Sequence, residues 1–92
     1  MLQGLMTWIK ICGVTNVEDA ERVIELGGDA IGLNFVLGSK RRVTREQAAT
    51  IVQAVAGRLE LVAVVADPTD SEVKELRGEL GIPWLQLHGQ EA

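Results

Sequence analysis

The stretch Lys10-Ile11-Cys12-Gly13-Val14-Thr15-Asn16 decides how this chain is read, because it joins a strand to a helix through a turn that carries a thiol. Side chains alternate along a strand, so in Trp8-Ile9-Lys10-Ile11-Cys12 the isoleucines share one face while Trp8, Lys10 and Cys12 share the other. Gly13 permits a sharp turn. Thr15 and Glu18 have the spacing of a capping box, in which a hydroxyl and a carboxylate satisfy free N–H groups of a new helix. A polar strand face ending in a thiol, where strand turns into helix, is the layout that βα enzymes use for catalysis.

Downstream, two kinds of segment alternate. Val17, Ala20, Val23 and Ile24 follow helical spacing and predict a first helix, stopped at Gly27 or Gly28. Residues 30–36 form a short apolar run suited to a second strand, followed by the basic loop Gly38-Ser39-Lys40-Arg41-Arg42. Thr44 and Gln47 repeat the capping box before a helix striped by Ala48, Ile51, Val52 and Val55. Residues 59–66 are nearly continuous aliphatic, as expected of a parallel strand covered on both faces. Asp67-Pro68 ends that strand, and Thr69 with Glu72 caps a third helix striped by Val73, Leu76 and Leu80. Trp84-Leu85-Gln86-Leu87-His88 alternates as a fourth strand, with Trp84, Gln86 and His88 on one face. The order βαβαβαβ suits right-handed parallel crossovers, and the threonines at 15, 44 and 69 mark a loose repeat of one βα unit. If the helices cover the aliphatic faces of the first and last strands, the faces bearing Cys12 and His88 line the inside of a barrel.

Composition narrows the function classes. Ninety-two residues suffice for one small domain, and 47% hydrophobic with 24% charged residues marks a folded rather than disordered chain. A net charge of −4 argues against a nucleic-acid partner, because neutralising phosphates needs a basic surface. No apolar run approaches the roughly 20 residues of a membrane span. The single cysteine excludes an internal disulfide and fits a reducing cytoplasm. Residues 1–7 read as an N-terminal extension to a half-barrel unit at 8–92, being too short and too poor in basic residues for a signal peptide.

Each candidate has a structural and a functional reading. Cys12 is either a small inert hydrophobe or a thiolate favoured by Lys10 and the following helix N-terminus. Lys10 is either a strand-edge cation or an electrostatic partner. Arg41 is either solvated or a planar fork for a carboxylate, with Ser39 bracing its loop. His88, beside Gln86, is either exposed structure or a group that orients substrate and moves a proton. Asp67 is first a turn residue. No second histidine or cysteine stands at metal-ligand spacing, and no glycine-rich phosphate loop is present, which counts against a flavodoxin-like binding domain.

Four stretches together resemble the phosphoribosylanthranilate isomerase family: residues 10–16, Gly32-Leu33-Asn34-Phe35 with Ser39-Lys40-Arg41, residues 62–68, and Leu85-Gln86-Leu87-His88-Gly89. The resemblance runs from Trp8 onward. It implies a (βα)₈ barrel performing an Amadori rearrangement in tryptophan biosynthesis, without a cofactor or metal. By that likeness Cys12 is the general base, Arg41 holds the anthranilate carboxylate, and Lys10, Gln86 and His88 line the barrel near substrate. Such a barrel needs about 200–250 residues. These 92 residues correspond to a (βα)₃β half, without a counterpart of the family's fifth-strand general acid or its phosphate site. Two classes of function follow: an isomerase half that works with a complementing C-terminal half, or a non-catalytic folding subdomain, natural or engineered, that self-associates as a homodimer.

Overall fold

The computed structural model describes residues 8–88. The extension read at residues 1–7 lies outside them. Strand β1 (Lys10–Cys12) leads to helix α1 (Val17–Glu25), β2 (Ala30–Asn34), α2 (Arg45–Val55) and β3 (Glu60–Val65). Helix α3 (Asp70–Lys74) runs into a π-helical turn (Glu75–Glu79), and β4 (Trp84–Leu87) follows. The strands form one parallel sheet in the order β1-β2-β3-β4. Cys12 pairs with Gly32, Gly32 with Val62, and Val62 with Trp84. This is the (βα)₃β arrangement expected from the alternating pattern.

The helices cover one face. Ile31 and Leu33 of β2 and Leu61, Ala63 and Val65 of β3 pack with Ala20 and Val23 of α1 and Ala48, Ile51 and Val55 of α2, with Leu76 and Ile82 closing the end. These are the positions that strand and helix periodicity select. Of the capping boxes, those at Thr44/Gln47 and Thr69/Glu72 form in both directions. The first does not. Asn16 is the cap of α1, its Oδ1 accepting the Asp19 N–H at 2.7 Å. The cap thus sits one residue further on than expected, and the donor it satisfies is the Asp19 N–H instead of the Glu18 N–H that Thr15 would have bound. The second strand also stops at Asn34, short of Val36, because the Asn34 Oδ1 accepts the Val36 N–H at 2.7 Å and turns the chain. Asp67 follows β3 with φ 44°, a left-handed conformation that Asp tolerates in turns.

The sheet curls away from the helices. Adjacent strands lie about 4.8 Å apart, so β1 and β4 of a flat four-stranded sheet would be separated by roughly 14 Å. The Lys10 Nζ nevertheless donates to the Gln86 Oε1 across the concave face. Beneath that contact Ala30, Val62 and Val64 are buried. Apart from Leu26 and Leu37 in the connections, the exposed large hydrophobics lie at the two sheet edges. Trp8 (60%) and Trp84 (58%) stand open on the concave side, and Ile11 (44%) and Leu87 (54%) on the helix side.

Candidate functional site

Parallel strands place all their C-terminal ends on one rim, and β1 delivers Cys12 there, exposed. Gly13, at φ 82°, turns the chain into the α1 cap and donates its N–H to the Gly32 carbonyl at 3.0 Å. The sulfur lies over Gly32: a Cβ built there would sit 3.0 Å from Sγ. Arg41 arrives from the β2–α2 loop. Its N–H donates to the Ser39 Oγ at 3.1 Å, the bracing expected of that serine. The Arg41 side chain lies across Gly13, whose missing Cβ would be 2.9 Å from Cδ and 3.0 Å from Nη1. The loop returns to the sheet where the Val43 N–H donates to the Asn34 carbonyl at 2.8 Å. A guanidinium is therefore packed against the residue next to the thiol.

Lys10 and Gln86 meet lower down the concave face, joined by their side chains. They border a groove of about 560 Å³ lined by Trp8, Glu60, Val62 and Trp84. His88 follows β4 at the rim; its N–H donates to the Val65 carbonyl at 2.8 Å and its residue is exposed. The structure thus brings Arg41 to the Cys12 turn and Lys10 to Gln86, while His88 stands at the rim beyond the fourth strand. Among the described residues, no three His, Cys, Asp or Glu side chains gather as metal ligands.

Two features escaped the sequence reading. Glu60 accepts the Trp84 indole N–H at 2.9 Å on the concave face, and its signal was a lone charge inside an aliphatic run. Gly13 and Gly32 shape the rim through the room they leave, which single-sequence spacing does not announce.

A curled parallel (βα)₃β sheet, helices outside and polar strand ends on one rim, is half of a (βα)₈-barrel of the TIM type. The family model for N-(5'phosphoribosyl)anthranilate (PRA) isomerase matches residues 9–92, and the chain belongs to that family. It is 43% identical over 88 residues to N-(5'-phosphoribosyl)anthranilate isomerase of Halorhodospira halophila, covering 96% of this chain and 42% of that one. Phosphoribosyl anthranilate isomerase of Thermotoga maritima superposes with TM-score 0.86 at 33% identity, over 95% of this chain and 42% of that one. A phosphoribosyl anthranilate isomerase in complex with reduced 1-(o-carboxyphenylamino)-1-deoxyribulose 5-phosphate gives the same TM-score of 0.86 and 33% identity, over 95% of this chain and 45% of that one. The chain spans about two fifths of the length of these relatives.

Proposed function

We propose that these residues supply the base-bearing, carboxylate-binding half of an N-(5'-phosphoribosyl)anthranilate isomerase site. In the Amadori rearrangement an acid protonates the ribose ring oxygen, the ring opens to a Schiff base, and a base removes the C2′ proton to give the aminoketose. Cys12 is the base, at a strand end open to substrate. Arg41 grips the anthranilate carboxylate with its planar fork. Lys10 and Gln86 line the floor below the ribose, and His88 faces substrate from the fourth strand. The acid and the phosphate site come from residues outside these four strands. The observation that carries this reading is the Arg41 side chain lying across Gly13, next to the sole thiol.

The partner is a surface that supplies strands to both edges. A C-terminal half-barrel fits, since Ile11 and Leu87 lie uncovered on the helix side of the edge strands, where the next helices of a barrel would pack. For the 92 residues on their own, a second copy offers the same edges and concave face, giving a homodimer. No helix among the described residues is long and apolar enough to cross a membrane, and the unpaired thiol suits a reducing cytoplasm.

The test is a nuclear magnetic resonance titration of the chain with reduced 1-(o-carboxyphenylamino)-1-deoxyribulose 5-phosphate. The expected shifts centre on residues 12–16 and Arg41, and Arg41→Ala abolishes them. Saturating shifts that avoid the rim, or none at millimolar ligand, overturn the reading.

A further inference from the structure

Gly32 sits inside β2, in a register row with Cys12 and Val62, and has no left-handed backbone angle that would call for glycine. Its carbonyl receives the Gly13 N–H at 3.0 Å, a bond any residue would make. What singles Gly32 out is the space above it. A Cβ there would lie 3.0 Å from the Cys12 Sγ, 3.3 Å from its Cα and 3.5 Å from its Cβ. All three nearest atoms belong to the one residue proposed as base. Glycine inside a strand weakens it, through backbone entropy and lost packing, so its presence here needs a reason.

We infer that Gly32 is a positioning residue for the Cys12 thiol, the sulfur occupying the place of the missing side chain. The sulfur leans along the sheet toward β2 instead of standing free at the strand end. Gly13 does the corresponding service for Arg41, whose stem and Nη1 fill the space over it. Two missing side chains thus seat the thiol and the guanidinium at one turn. This deepens the proposed isomerase reading and rests on it for its catalytic meaning, but the steric seat stands independently.

Gly32→Ala is the informative variant, because alanine suits the strand backbone and collides only with Cys12. A four-member cycle (wild type, Gly32→Ala, Cys12→Ala and both) is measured by urea unfolding of this chain. Gly32→Ala lowers the midpoint, and Cys12→Ala in the same chain restores at least half of that loss. Additive effects would overturn the inference. Should Gly32→Ala alone fail to fold, recovery of a cooperative transition in the double variant supports the seat, and continued failure opposes it. In the barrel completed by a C-terminal half, displacement of the base predicts that Gly32→Ala lowers kcat by about 10-fold, less than the roughly 100-fold of a full 1 Å misplacement, with KM unchanged. A loss confined to KM would overturn the positioning role. If Cys12→Ala keeps full turnover while the cycle remains non-additive, the base assignment fails and the steric seat survives.

Discussion

At Cys12 the chemistry and the packing meet on a few atoms. A positioned general base contributes about 10²–10⁴-fold, so the proposal that Cys12 is the base predicts that Cys12→Ser in a completed barrel lowers turnover by roughly that factor. Steady-state kinetics within a few-fold of wild type would contradict the role. Arg41→Lys keeps the charge and loses the fork, so KM rises while kcat stays within a few-fold. An unchanged KM would remove Arg41 from substrate binding. That Lys10 and Cys12 share a face was legible in the sequence through alternation with Ile9 and Ile11, and the choice of face followed once the helices were set against the aliphatic side. The return of Arg41 over Gly13 was not, since it depends on the Ser39 brace and the fold-back at Asn34. The curl that joins Lys10 to Gln86 lies 76 residues apart in sequence, beyond any local signal.

Among the elements, α2 and α3 start with the same reciprocal cap but different chemistry. Gln47 closes one box and Glu72 the other. Hydrogen bonds from the Thr69 backbone N–H, and then its hydroxyl, hold the Glu72 carboxyl below the usual glutamate value. A depressed carboxyl contributes its stability fully above the unfolded-state value and loses it as pH falls through the folded one. Glu72→Gln keeps the box geometry, as Gln47 does, and should flatten part of the acid-side loss in thermal unfolding temperature. Superimposable pH profiles would contradict this. Deeper in, Ile51 of α2 is 1% exposed against the sheet, and Ile51→Ala should cost about 2–5 kcal/mol by urea unfolding. A cost below about 1 kcal/mol would mean that α2 does not pack there. Thr-x-x-Gln and Thr-x-x-Glu announced two helix starts correctly. Thr15 misled, because Asn16 offered the stronger acceptor one residue on. The π-helical turn left no periodic mark, since Leu76 stays buried through it.

Among the described residues the sheet is an open curve with a strand edge at each end, β1 on one side and β4 on the other. Unpaired edge strands invite strand addition, and Trp8, Trp84, Ile11 and Leu87 cluster at those ends. Light scattering of the 92-residue chain should therefore give twice its 10.0 kDa mass. A particle of one chain would reject the homodimer. The βαβαβαβ order and the helix-covered face were legible throughout, because three amphipathic stripes and one doubly aliphatic strand admit few parallel topologies. The burial of Ala30, Val62 and Val64 was not, since strand alternation puts them on the face that no helix covers. The most direct measurement is Amadori turnover, followed as consumption of N-(5'-phosphoribosyl)anthranilate, by this chain with and without a purified β5–β8 half from a family member. Turnover should be undetectable for the chain alone, appear when the two halves assemble, and vanish again with Cys12→Ser. Turnover by the chain alone, or a well-formed complex that does not react, would contradict a site divided between two halves.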